Sequence, residues 1–153
     1  MWFIIVSILI LVVVGVAGEK RQRRLKEEGK IIERAGRFYE NATWFFTSAS
    51  WESILDAVQK RDFSDAGVTH PYSGGTKAVV FNSKHSWSAQ LKHIGERDGR
   101  SVYSYSLTNW KTNNGGAWRG DTMNMMQTAI EKVFLSLDPS VTVETHKMQL
   151  KTR

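Results

Sequence analysis

Hydrophobic and polar positions along this chain fall into regimes that change abruptly. From Trp2 to Gly18 every residue is apolar except Ser7, the pattern of a helix that satisfies its own backbone and presents hydrocarbon all round. Beyond it Leu25, Ile32 and Tyr39 recur at sevens, with Ile31, Ala35 and Phe38 nearby. That spacing predicts a helical stalk over residues 19–40, weakened by Gly29 and Gly36. Thr43 to Ala49 is rich in aromatic and β-branched residues and predicts a strand. Ser50 then precedes Trp51, Ile54, Leu55 and Val58, an amphipathic helix with a serine N-cap that ends near Lys60. A long loop follows from Asp62 to Gly75, and Lys77 to Asn82 is apolar on both faces, as a strand buried on two sides is.

The next two strands alternate strictly. Trp87, Ala89, Leu91 and His93 interleave with Ser88, Gln90 and Lys92, and Tyr103, Tyr105 and Leu107 interleave with Ser104, Ser106 and Thr108. A two-residue turn at Asp98-Gly99 pairs odd positions with even ones and lays Lys92 and Gln90 beside aromatics. A three-residue loop with Gly99 left-handed pairs odd with odd, which gathers the apolar residues on one face and leaves a polar, solvated face behind. The second register is the expected one. After a glycine-rich loop, Lys111 to Gly120, Asp121 opens a helix whose stripe is Met126, Ala129, Ile130, Val133, Phe134 and Leu137, and Asp138-Pro139 stops it. Val141 to Leu150 predicts a last strand. The order β-α-β-β-β-α-β predicts an α+β fold: a two-layer domain with an antiparallel sheet of about five strands and two helices on one face. Three segments follow: an anchor over 1–18, a basic juxtamembrane helical stalk over 19–40 and a single α+β domain over 41–153.

Charge changes the picture at the junction. Lys20, Arg21, Arg23, Arg24 and Lys26 follow the apolar run directly, while only Met1 precedes it, so the basic n-region of a cleaved signal is missing. The run of 17 residues spans about 25 Å as a helix, the short end of what a bilayer needs. A single-pass anchor with the N-terminus outside and the C-terminal domain cytoplasmic is expected from the positive-inside rule. Asn41-Ala42-Thr43 fits a glycosylation sequon, relevant only in a secretory lumen, and reads as strand entry. The net charge of +6 divides unevenly: residues 19–37 carry eight Lys/Arg against four Glu, leaving thirteen against eleven for the rest. The excess thus belongs to the membrane surface, where the five basic residues can also meet anionic lipid headgroups. The domain itself has no electrostatic footprint for nucleic acid. The absence of cysteine excludes disulfides, thiolate catalysis and Cys-ligated zinc.

Chemistry is sparsely signalled. No Walker A, G-x-G-x-x-G, H-E-x-x-H, G-x-S-x-G or EF-hand pattern occurs. His70, His85, His93 and His146 lack helical pairing, and on one strand His85 and His93 would lie about 26 Å apart, so neither metal nor cofactor is expected. The candidate site is the Lys111–Gly120 loop, where Trp118 can stack on a flat group, Arg119 can pair with an anion, and Asn113 and Asn114 offer amides. The Asp62–Gly75 loop is a second candidate. These features predict a single-span membrane protein, with the bilayer and an unidentified protein or small ligand as partners, whose domain is a non-enzymatic binding module. A small-ligand or lipid-handling domain with a pocket between helices and sheet stands as the alternative. A hydrolase built from dispersed Ser, His and Asp is the third reading, and it requires those side chains to converge.

Overall fold

The computed structural model describes residues 17–149. All of the expected membrane anchor except Ala17 and Gly18 lies outside the described residues. Among those described, no helix is long and apolar enough to cross a membrane. The chain divides into two compact units, one up to Glu33 and one from Arg34 onward.

In the first unit residues 17–27 are helical (α1), so the helix expected over 19–40 stops short. The reason is Gly29, at φ 67. Its amide donates to the Lys26 carbonyl at 3.0 Å and the Lys30 amide to the Leu25 carbonyl at 2.9 Å, the paired bonds of a Schellman motif. A glycine that merely weakens a helix in the sequence reading is its terminator in the structure.

The second unit is a mixed domain with a six-stranded antiparallel sheet. Its strands are β1 (Asn41–Thr47), β2 (Tyr72–Ser73), β3 (Ala78–Ser83), β4 (Trp87–Arg97), β5 (Arg100–Trp110) and β8 (Thr142–Lys147), in the spatial order β2-β3-β4-β5-β1-β8. A separate hairpin, β6 (Thr112–Asn113) with β7 (Gly116–Ala117), precedes the second long helix. Helix α2 (Trp51–Lys60) follows β1 and helix α3 (Gly120–Leu137) precedes β8. Ser50 caps α2 by accepting from the Ser53 amide at 3.2 Å. Of the strand expected from Val141, Thr142–Lys147 is extended, and the sheet gains β2 from a segment expected to be loop.

Hairpin β4–β5 uses the turn that the alternation argues against. Asp98 and Gly99 both have positive φ, 53 and 74, and Arg97 faces Arg100. Two bulges reconcile that turn with the core. Ile94 is an extra residue between the pairs His93↔Tyr103 and Gly95↔Val102, and Thr108 is extra between Ser88↔Asn109 and Ala89↔Leu107. Between them odd pairs with odd, Leu91 with Tyr105 and Ala89 with Leu107. The apolar face is therefore the expected one, reached by a different route: a bulge restores the parity that a two-residue turn removes. Gly95, at φ 146, supplies a backbone conformation that a side chain resists.

Both long helices cover this face. Phe134 of α3 stacks on Phe45 with ring centroids 4.1 Å apart, and Trp51 of α2 lies parallel to Tyr103 at 6.2 Å. Trp87 donates its indole N–H to the Thr122 hydroxyl at 2.9 Å, the partner a buried indole needs. On the other face Ser104, expected to be solvated, is buried between its cross-strand neighbours Trp44 and Lys92.

The first turns of α3 depart from a simple stripe, because every residue from Thr122 to Thr128 is buried. Arg34 accounts for part of this. Its guanidinium donates to Asn124 Oδ1 (2.9 Å), Thr128 Oγ1 (3.0 Å) and both carboxylate oxygens of Glu131 (3.0 and 3.1 Å). Gln127 links the cluster to the sheet by donating to Thr43 Oγ1 at 3.0 Å. Tyr105 OH, fully buried, has no hydrogen-bond partner among the described residues.

Candidate functional site

The geometry draws attention to the edge of the sheet where α2 passes over β2 and β3. Amphipathic α2 turns Ile54 and Val58 fully inward, and Trp51 and Leu55 beside them are only partly covered. The chain returns through Pro71, which opens the two-residue strand β2. Between these elements lies a cleft of about 140 Å³, lined by Trp51, Leu55 and Gln59 from the helix and by residues of the 71–79 stretch. Tyr72 is fixed at the rim because its hydroxyl accepts from Asn82 Nδ2 at 2.8 Å, and Asn82 in turn accepts from Ser88 at 2.7 Å. Lys77 is the one charged residue in the lining. Its ammonium makes no ion pair among the described residues, so the cleft is a mostly apolar slot with one positive corner.

The Lys111–Gly120 loop folds into the β6–β7 hairpin, closed by Asn114 and Gly115 at φ 50 and 78. Asn113 and Asn114 sit at its turn, while Trp118 and Arg119 lie at its base, about 7 Å away along two strand residues. Trp118 is exposed. Arg119 is engaged within the chain: its guanidinium donates to Asp121 at 3.1 and 3.5 Å and stands 3.4 Å from His85 Nδ1. Arg119, not Asp121, occupies the N-cap of α3, with left-handed backbone and no side-chain cap bond. The four residues singled out in the sequence do not share one focus, and the positive charge among them is already matched by a carboxylate.

Two further clusters are clasps. Trp44 stacks on His146 at 3.8 Å, His146 meets Glu144 at 2.9 Å, Glu144 accepts from Arg97 at 2.7 Å, and Arg97 lies over Phe46 at 4.3 Å. The Ile94 bulge places Arg97 on this face, and the chain of contacts ties β8 to the β4–β5 tip. Asp138 gathers Thr47 Oγ1 (2.7 Å), Ser140 Oγ (2.6 Å), the Ser48 amide (3.1 Å) and Arg100 (3.1 Å). These donors, Ser140 first, hold its carboxyl well below the ordinary range, so it is a poor proton acceptor. Two serines and a carboxylate meet here with no histidine among their contacts. Among the described residues no cluster of three or more acidic or histidine side chains is arranged to hold a metal ion.

The basic residues next to the apolar run lie on α1, where Lys20, Arg21, Arg23, Arg24 and Lys26 are all exposed. Arg24 pairs with Glu28 at 3.6 Å and Lys26 with Glu33 at 3.9 Å, loose contacts that solvent screens.

Part of the cleft, Pro71 to Gly75, belongs to the Asp62–Gly75 loop read from the sequence as the second candidate. Sequence reasoning missed the other wall, Trp51, Leu55 and Gln59 of α2 with Lys77 to Val79, because only the fold brings these stretches together. Compared with known proteins, the chain matches no family model and no curated sequence.

Proposed function

We propose that this chain is a single-span membrane protein whose α+β domain is a non-enzymatic binding module, with its ligand site in the cleft between α2 and the β2–β3 edge. The cleft carries the reading: an indole, a leucine and a proline form its apolar walls, Gln59 and Lys77 supply the polar groups, and nothing in the lining is a nucleophile paired with a base. Its volume, about 140 Å³, is below the roughly 300 Å³ at which sites for drug-sized ligands begin. It is near the roughly 150 Å³ that holds a benzene ring. A ring-sized group fits. The sequence supports the setting, with the apolar run as anchor, the domain on the cytoplasmic side, and the basic residues of α1 against anionic headgroups.

The test uses the full chain in lipid nanodiscs, screened by ligand-observed NMR with a library of single-ring compounds. Hits that lose their saturation transfer in Leu55→Arg are expected. Hits indifferent to that change, or turnover of any compound, overturn the reading. Protease accessibility in sealed, oriented vesicles tests the topology: protection inside the cytoplasmic face is expected, and digestion from the other side refutes it.

A further inference from the structure

We infer that the occupant of the cleft is one large apolar side chain of an extended peptide from a partner protein, laid as an added strand along β2, with an acidic residue close to that side chain in sequence. The inference rests on the cleft being the ligand site and names what enters it.

Three observations converge. The first is the hydrogen-bond phase of the edge. The Gly74 amide donates to the Ala78 carbonyl at 3.0 Å, and β2 pairs with β3 through Tyr72↔Val80 and Ser73↔Val79. Hydrogen-bonded and non-bonded pairs alternate in an antiparallel ladder, so Tyr72 directs its main chain toward β3 and Ser73 directs its N–H and C=O outward. Neither group of Ser73 has a partner among the described residues. The edge thus offers one donor and one acceptor at a single residue, the spacing that an opposing residue's main chain answers.

The second observation is the face. Ser73 lies opposite Val79, and Val79 opposite Leu91, on the helix-covered side of the sheet. Residues directly opposite one another point to the same face, so a residue bonded to Ser73 sends its side chain to the side where Trp51 and Leu55 wall the cleft. Main-chain register and cavity agree without adjustment. The third is size and charge: the volume admits one ring or branched aliphatic group, and the only charge in the lining is the unpaired Lys77, which favours an acidic neighbour. The contact is small, so the anchor side chain carries most of the affinity.

A phage-displayed library of random decapeptides, panned on the full chain in nanodiscs, tests this. Enriched peptides are expected to share one Leu, Ile or Phe with an Asp or Glu within a few positions. Ser73→Pro removes the outward N–H at an edge position where proline is tolerated, and is expected to weaken a selected peptide about five- to tenfold. Leu55→Arg is expected to weaken it by more than about tenfold, and Lys77→Glu to shift the acidic preference toward basic residues. The dispersed amide spectrum of each variant without peptide, matching that of the unaltered chain away from the substitution, shows that it remains folded; in the unaltered chain peptide addition is expected to shift the amides of Ser73 to Gly75. Failure to enrich any peptide overturns the inference, as does a consensus whose affinity ignores both Ser73→Pro and Leu55→Arg. If single-ring compounds still bind the cleft in that event, the binding-module reading survives and only the peptide assignment falls.

Discussion

Arg34 joins the residues before β1 to α3 through a buried charge, and removing that charge has a size that can be worked out. Side-chain exposures of 10% for Arg34 and 24% for Glu131 place the pair where loss of one partner costs about 3–5 kcal/mol. The lower end applies, because the rest of the network keeps its bonds. In Arg34→Met, Thr128 still donates to Asn124 at 3.1 Å, Gln127 still reaches Thr43, and Glu131 retains Gln127 Nε2 at 3.3 Å. The expected cost is about 3 kcal/mol, a fall of roughly 10 °C in the midpoint for a domain of this size. Glu131→Leu alone strands the guanidinium and costs a similar amount. The double variant Arg34→Met/Glu131→Leu replaces the ion pair with apolar volume and is expected to lose only about 1 kcal/mol, a coupling of several kcal/mol. Urea unfolding of the full chain in micelles, followed by near-UV circular dichroism of the buried aromatics, measures all three. Single variants that each cost under about 1 kcal/mol, with additive effects in the double, would refute the claim that this pair is buried and mutually dependent.

Three other substitutions have expected outcomes. Tyr105→Phe removes a buried hydroxyl with no partner among the described residues, so unfolding should show no loss or a gain of up to about 1 kcal/mol; a clear loss would reveal a bonded water or ligand. Gly95→Ala forces a side chain into φ 146 and should cost about 1–3 kcal/mol, read as a lower urea midpoint at unchanged slope. Asp138, whose folded carboxyl titrates below its ordinary value of 3.8, contributes stability that is present above that value and lost as pH falls below it toward the folded value; Asp138→Asn should flatten the acid limb of stability against pH, and an unchanged limb argues against the role.

The alternation at Trp87, Ala89, Leu91 and at Tyr103, Tyr105, Leu107 made the core face of the two longest strands legible, because burial on one face leaves a period of two. The serine cap and the stripe of α2 were legible for the same local reason. Ile94 and Thr108 were not: a bulge inserts a residue without changing the composition around it, and only Gly95 hinted at one. Arg34 read as part of a basic stalk because its partners Asn124, Thr128 and Glu131 lie some ninety residues away on α3. The polar residues Thr122, Asn124, Gln127 and Thr128 lie outside the apolar stripe read for this helix, yet all four are buried. Trp118 and Arg119 drew attention by residue type, whereas the cleft is a property of spacing between α2 and β2 that no single segment encodes.

The Ile94 bulge also changes what the β4–β5 tip can tolerate. Outward of it the chain has exchanged faces, so Gly95 and Arg97 occupy positions that the core never sees, and the core's alternation ends at His93. The tip is thereby insulated from frame: residues added at Asp98-Gly99 cannot propagate a slip inward without first undoing the bulge. An epitope, a fluorophore-bearing cysteine in a chain that otherwise has none, or a short evolutionary insertion can be lodged there at the expense of the contacts of the two flanking arginines, Arg97 with Glu144 and Arg100 with Asp138, while the β2 edge at the other side of the sheet is left undisturbed.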